Sequence, residues 1–148
     1  MPKDMRNWIE RLREAGELKR VRREVDPRSQ MGALLWLSKD RALLLENIKG
    51  HAGWTALGQG VANWRHAALA FDTTPERLVA TYASRLRERV APVRVASGPV
   101  KDVILRGGEI DLLSLPLHLN CTRDGGPYIT SGICVTRDPD TGARNMAL

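Results

Sequence analysis

The sequence predicts a protein of the mixed α/β (α+β) class that is built from two consecutive units. Helical and strand patterns alternate up to about residue 90, and β-rich runs and turns dominate after residue 100. Between them, Ala91 to Pro99 contains two prolines and small residues without clear periodicity, which is typical of a linker. The 148 residues suffice for one domain with a core, or for one domain plus part of another.

The first element is an amphipathic helix followed by an exposed strand. The apolar residues at helical spacing are Met5, Trp8, Ile9 and Leu12. Asp4 is placed to cap this helix and Gly16 to end it. Glu17 to Val25 alternates imperfectly, as an exposed strand does, and Asp26-Pro27 predicts a turn into a second helix around Ser29 to Ser38.

A strand pair and a short helix follow. Ala42 to Ile48 is a nearly continuous apolar run, and the letters TALGQG after Trp54 predict its partner strand across the turn at Lys49 to Gly53. Asn63 is placed to cap a short helix through His66 to Leu69.

The next helix has a strong start signal at Thr74-Pro75-Glu76, which offers a capping oxygen and a proline at the first helical position. One apolar stripe runs along it: Leu78, Val79, Tyr82, Leu86 and Val90. The stripe predicts a helix that packs against the core.

The second unit reads as strands and turns. Val100 to Leu105 is β-rich, and EIDLLSLPL predicts a helical turn or an irregular connection. Tyr128 to Thr136 alternates well enough to predict a strand with one core face and one face of small and polar residues. The turn at Asp138 to Gly142 predicts that Ala143 to Leu148 returns antiparallel to it.

The net charge of +6 and the pI near 9.9 would suit nucleic acid, anionic lipid or a phosphorylated ligand. The N-terminal basic residues, however, alternate with glutamates, as on a solvated surface with mixed-sign pairs. No nucleic-acid-binding signature supports a basic stripe, so we expect no nucleic acid partner.

The two cysteines, Cys121 and Cys134, are expected to be unreactive buried thiols. With His118 they supply only three zinc ligands, and a disulfide is an equally weak alternative. No apolar segment has the length of a signal peptide or a membrane span, so we expect a cytoplasmic protein with reduced thiols.

Spacing alone shows no catalytic motif. Asp124-Gly125-Gly126-Pro127 could hold an anion with backbone N–H groups, although such a stretch is far more often a simple turn. The histidines, His51, His66 and His118, are expected to be surface or hydrogen-bonded residues.

Several stretches resemble the N-terminal third of the UbiD family of decarboxylases, in the same order from about Met5 to Leu148. They are GELKRVRREVDP, ALLLENIKGH, GPVKDVILRGGEIDLLSLPL and DGGPYITSGICVTRDPDTGARNMAL. The most specific parts are DGGPYIT and the TRDPDTGARN stretch that closely follows it.

The resemblance implies a fold and a chemistry. Members of the family use prenylated FMN, a divalent metal that is usually manganese, and potassium to decarboxylate aromatic or α,β-unsaturated carboxylic acids reversibly. We therefore expect an N-terminal α/β domain at residues 1–98 and, at 99–148, the first strands of a split β-barrel that binds the flavin. The family's further C-terminal domain implies that the whole enzyme is a homo-oligomer.

The resemblance also assigns site residues. Asn145 matches the asparagine whose amide oxygen binds the metal, and Met146, Ala147 and Leu148 match residues that line the flavin. No catalytic residue is matched, because the family's substrate arginine, further metal ligands and proton donor follow the position of Leu148. We expect an N-terminal fragment that is inactive alone. The alternative is a non-catalytic accessory or interaction protein that docks a partner through its basic surface.

Overall fold

The structure is a computed structural model that describes residues 4–88, 90–129 and 131–147. Its helices and strands, in chain order, are α1 (Met5–Glu14), β1 (Leu18–Val21), α2 (Met31–Leu37), β2 (Ala42–Leu45), β3 (Ala56–Gly58), α3 (Trp64–Ala70), α4 (Leu78–Arg85), β4 (Cys134–Arg137) and β5 (Arg144–Ala147). This mixture of helices with small sheets confirms the predicted α+β class. Among the described residues, no helix has both the length and the apolar character needed to cross a membrane.

Both ends of α1 are fixed by the predicted residues. The Asp4 side chain accepts a hydrogen bond from the Asn7 backbone N–H at 2.8 Å. At the other end, Gly16 has a φ of 71°, and the N–H of Glu17 donates to the Leu12 carbonyl at 2.9 Å. The glycine therefore closes the helix and turns the chain directly into β1.

A three-stranded sheet in the order β1-β2-β3 carries the core. Strand β2 pairs in parallel with β1 and antiparallel with β3, which confirms the predicted strand pair across the turn at 49–53. Leu43 and Leu45 pack with Met31 of α2, whereas Ala42 packs with Trp8 and Leu12 of α1. Every residue of β2 is buried because helices cover both faces, which explains its unbroken apolar run.

The start of α3 is fixed by Asn63, as predicted, because its side chain accepts a hydrogen bond from the His66 N–H at 3.0 Å. His66 is fully buried. Its Nδ1 accepts from the Ala62 N–H at 3.1 Å, so Nε2 carries the proton and donates to Glu17 at 3.2 Å. His66 is thus a hydrogen-bonded core histidine, and the structure supplies an acidic partner that lies 49 residues away.

The prediction that α4 packs along its whole apolar stripe is wrong. A 3₁₀ turn at Pro75–Arg77 leads into the helix, which ends at Arg85 rather than at Val90. Leu78 is buried, but 70% of Val79 and 64% of Leu86 remain exposed. The described part of the chain contains no element that covers this outer face, and periodicity alone cannot show whether one exists.

The second unit has less regular structure than predicted. Residues 100–105 contain the end of a 3₁₀ turn and no strand, and the strand expected from Tyr128 shortens to Cys134–Arg137, with Thr130 outside the described residues. Its expected core face is exposed, at 63% for Ile129 and 65% for Val135. Because β-propensity forms a strand only where a partner pairs with the backbone, the strand persists only opposite β5. The predicted antiparallel return is confirmed.

The segment at 114–120 ties the second unit to the first. The Leu119 N–H donates to the Pro27 carbonyl at 3.1 Å, and His51 Nδ1 lies 3.0 Å from the Ser114 carbonyl. Gly32, at the start of α2, lies directly beneath the backbone of Asn120. We call residues 114–120 the docked segment.

Candidate functional site

The predicted site residues lie on the hairpin formed by β4 and β5. In its register Asn145 is opposite Thr136, Met146 is opposite Val135, and Ala147 is opposite Cys134. Opposed residues of an antiparallel pair project to the same face, and neighbours along a strand project to opposite faces. The register therefore sorts the predicted site residues between the two faces.

Asn145 and Ala147 lie on one face of the hairpin, and Met146 lies on the other. The face of Asn145 also carries Thr136 and Cys134, so it combines small and polar side chains. The face of Met146 carries the apolar side chain of Val135 and the charged side chains of Arg137 and Arg144. Leu148, the last predicted flavin contact, lies outside the described residues.

The turn that sets this register is fixed by Asp138. Its carboxylate accepts hydrogen bonds from the Thr141 N–H at 2.6 Å, the Thr141 hydroxyl at 2.8 Å and the Asp140 N–H at 3.0 Å. These bonds, led by that from the Thr141 backbone, hold the pKa of Asp138 below its usual range against the opposing effect of desolvation. Gly142 has a φ of 70°, which confirms the glycine predicted at a left-handed position.

The amide oxygen of Asn145 is a suitable donor for a hard divalent cation. Such a cation takes about six ligands. Within residues 4–88, 90–129 and 131–147, no group of three or more His, Cys, Asp or Glu side chains could hold a metal ion. The donor type therefore fits a metal site, but the number of donors in the described chain does not.

The cysteines differ from their prediction. Cys121 and Cys134 are free thiols, and both are exposed rather than buried. The expectation of buried thiols is wrong because the strand that carries Cys134 has no core against it. The described residues do not gather His118, Cys121 and Cys134 into a metal cluster.

A hydrogen-bonded turn spans Cys121 to Asp124, at the start of the stretch from Asp124 to Pro127. The Asp124 carboxylate accepts a hydrogen bond from the Cys121 N–H at 2.7 Å, and the Asp124 N–H donates to the Cys121 carbonyl at 3.1 Å. The Asp124 carboxylate binds the Cys121 amide, and its negative charge disfavours a second anion beside it.

One cluster was missed by sequence reasoning. The rings of Phe71 and Tyr82 meet edge to face, with centroids 5.8 Å apart and planes at 74°. The Arg85 guanidinium lies over the Phe71 ring, 5.5 Å from its centroid. Tyr82 and Arg85 are three residues apart on α4, a spacing that places them on one face, but nothing local in the sequence assigns Phe71 to them.

Two family models match consecutive parts of the chain. The 3-octaprenyl-4-hydroxybenzoate carboxy-lyase N-terminal domain matches residues 9–86, and the Rift-related domain of the same enzymes matches residues 91–148. Both models describe domains of one group of enzymes. The chain belongs to the UbiD family.

Similarity to a known protein and to solved structures supports the same family. A protein encoded in the cooM 5′ region of Rhodospirillum rubrum is 34% identical over 153 residues, which cover 98% of this chain and 32% of that protein. An evolved dimeric form of the UbiD-class enzyme HmfF from Pelotomaculum thermopropionicum, in complex with prFMN, is 36% identical with a TM-score of 0.84 and covers 96% of this chain and 34% of HmfF. The matched chain of the vanillic acid decarboxylase of Sedimentibacter hydroxybenzoicus, in an open form, is 27% identical with a TM-score of 0.81, over 95% of this chain and 32% of that chain. The chain thus spans about a third of the length of these proteins.

Proposed function

We propose that this chain contributes to a reversible decarboxylase of aromatic or α,β-unsaturated carboxylic acids that uses prenylated FMN. Family membership supports the carboxy-lyase class. The similarity to HmfF, whose structures hold prFMN or FMN, supports the flavin, and the similarity to vanillic acid decarboxylase supports an aromatic acid as substrate.

Within this function, Asn145 donates its amide oxygen to a divalent cation, manganese by family resemblance, with potassium as a second ion. Ala147 and the backbone of Met146 contact the flavin, and so does Leu148 beyond the described residues. The observation that carries these roles is the register that opposes Asn145 to Thr136 on a face of small side chains, because such a face leaves room for a ligand.

The prenylated flavin would supply the electron sink for the loss of carbon dioxide. The residues proposed from this chain bind and orient; none of them carries an acidic proton. Decarboxylation requires a proton to replace the departing carboxyl group, so a proton donor is also needed. We therefore propose that the 148-residue chain alone releases no carbon dioxide.

We also propose that the chain forms two units, residues 1–98 and 99–148. Every buried hydrophobic residue among those described lies between Trp8 and Leu78, which supports a first unit with its own core. The described residues from Val90 to Gly98 form neither helix nor strand, which supports a linker there.

The test compares the chain alone with the chain joined to the remaining two thirds of a family member, each supplied with prenylated FMN, manganese and a panel of aromatic and cinnamic acids. Only the longer protein should release carbon dioxide. In that protein, Asn145→Ala should lower bound manganese and flavin, measured by elemental analysis and flavin absorbance. Arg144→Gln is the matched control because Arg144 projects to the opposite face.

Turnover by the chain alone would contradict the proposal of inactivity. Equal metal and flavin retention by Asn145→Ala and Arg144→Gln would contradict the role of Asn145.

An accessory or interaction protein remains the second candidate, but the charges of the chain favour it less. Arg13 pairs with Glu10, and both Arg20 and Arg22 pair with Glu46. These local pairs neutralise part of the N-terminal basic surface that would attract an acidic partner.

A further inference from the structure

A cleft lies at the C-terminal end of α4, far along the chain from the hairpin of Asn145. Its volume is about 570 Å³, within the range of small-molecule sites. Its apolar walls are Phe71, Tyr82, Leu86 and Val90. Because Tyr82, Leu86 and Val90 are each at least half exposed, the cleft presents an apolar surface to solvent.

Arg85 is the charged group that distinguishes this cleft. Its guanidinium lies over the ring of Phe71, and its Nη1 is sealed from solvent without a hydrogen-bond partner among the described residues. A buried donor without an acceptor is costly, and a charged donor more so. The contact with the face of Phe71 offsets only part of this cost, because a ring accepts no strong hydrogen bond. The cleft therefore lacks an anionic acceptor for Arg85.

The cleft's own carboxylates do not supply that acceptor. Asp72 forms an ion pair with Arg11, and Glu88 forms no ion pair with Arg85 in the part of the chain that the structure describes. Glu88 is exposed at the rim of the cleft, where its charge is screened by solvent.

We propose that this cleft binds an apolar monocarboxylate, such as an arylalkanoate. The planar guanidinium of Arg85 takes a carboxylate through two parallel hydrogen bonds, and the walls of Phe71, Tyr82 and Leu86 remove the hydrocarbon part from water. Because Nη1 is sealed in the unliganded chain, binding requires the Arg85 side chain to turn toward the cleft. This site is independent of the flavin-binding function, because it uses neither the hairpin nor a cofactor.

The chain offers a site-specific probe, because Phe71 is its only phenylalanine. With ring-¹³C phenylalanine incorporated, the NMR signal reports from one wall of the cleft. Titration with hydrocinnamate should give a saturable shift at millimolar concentrations. Hydrocinnamamide, which has the same shape without the charge, should bind at least about tenfold more weakly, since hydrogen bonds to charged groups are the stronger ones.

Two arginine variants make the test specific. Arg85→Gln should weaken hydrocinnamate binding about tenfold or more, while Arg87→Gln, two residues along the chain and outside the cleft lining, should leave it unchanged. Glu88→Gln should bind at least as tightly as the unmodified chain, because it removes a like charge from the rim. Thermal unfolding of each variant verifies that the fold is retained.

Three outcomes would overturn the proposal. They are an unsaturable shift in the folded chain, equal binding of the acid and its amide, and equal loss of binding in Arg85→Gln and Arg87→Gln.

Discussion

Gly32 of α2 lies so close to Asn120 of the docked segment that a methyl group on Gly32 would sit 2.6 Å from the Asn120 carbonyl oxygen. The Leu119 carbonyl oxygen would be 2.7 Å from the same methyl group. Both contacts are with backbone, which cannot move aside as a flexible side chain can. The absence of a side chain at Gly32 is therefore what allows the second unit to lie against the first.

Gly32→Ala should displace the docked segment. Overpacking typically costs about 1–3 kcal/mol. Alanine also favours a helix over glycine by up to about 1 kcal/mol, which offsets part of that cost, so the net loss of global stability should be about 0–2 kcal/mol. The decisive measurement is amide hydrogen exchange at Leu119, whose N–H bonds to Pro27 and should lose protection. Gly108→Ala is the control because no atom lies within 4 Å of its added methyl group.

Gly58→Ala should destabilise the contact between β3 and α2. A methyl group there would lie 1.9 Å from Cδ2 of Leu35, so the leucine must leave its position. Because the clash is with the end of a flexible and only partly buried side chain, we expect a loss of about 1 kcal/mol by chemical denaturation, at the low end of overpacking costs. Combined with Leu35→Ala, the same change should cost less than the sum of the two single changes, by about 0.5–3 kcal/mol. Strict additivity would show that the two residues do not meet.

His66→Leu should destabilise the first unit by about 1–3 kcal/mol, because it leaves the partly buried Ala62 N–H without its acceptor and removes the histidine donor of Glu17. The measurement is equilibrium unfolding in urea. Arg65→Gln removes only the ion pair in which the guanidinium of the mostly exposed Arg65 lies 3.5 Å from the Glu17 carboxylate. This change should alter the free energy of unfolding by less than about 1 kcal/mol. Similar effects of the two changes would contradict the assigned role of His66.

The hairpin turn should loosen in acid. Because the folded-state pKa of Asp138 is lowered, its stabilising effect is complete above the unfolded pKa of about 4 and is lost as the pH falls through the lower folded-state value. NMR should show the Thr141 amide signal shifting over that window. Asp138→Asn keeps an accepting oxygen and should remove the pH dependence. Asp140→Asn should retain it, because Asp138 accepts the turn's amide bonds.

Hydrogen exchange should separate the two units. The amides of β2 are buried between two strands, whereas β4 and β5 are exposed throughout and pair only with each other among the described residues. We expect slow exchange in β2 and fast exchange in β4 and β5 of the monomeric chain. Equal protection of both sheets in a monomer would contradict the two-unit organisation.

Features that depend on a few neighbouring residues were predictable from the sequence. Asp4, Asn63 and Gly16 were placed correctly at helix ends, and so was Gly142 in the hairpin turn. Each acts within about one helical or hairpin turn, so its partners are encoded beside it. The position of Asn145 on β5 also follows from this local turn, whereas its roles in metal and flavin binding stay predictions.

The tertiary structure alone decided which apolar faces are covered and which distant groups meet. Most of the stripe of α4 beyond Leu78 and the strand face of Ile129 had the pattern of core residues but are exposed, because a pattern shows that a face is apolar without showing what packs on it. His66 forms a hydrogen bond with Glu17, which lies 49 residues away in the sequence, and Arg85 lies over the ring of Phe71 across a turn. Such contacts depend on how distant elements are arranged in space. The packing of α1, α2 and α3 around β2 sets part of that arrangement, and no local sequence signal encodes it.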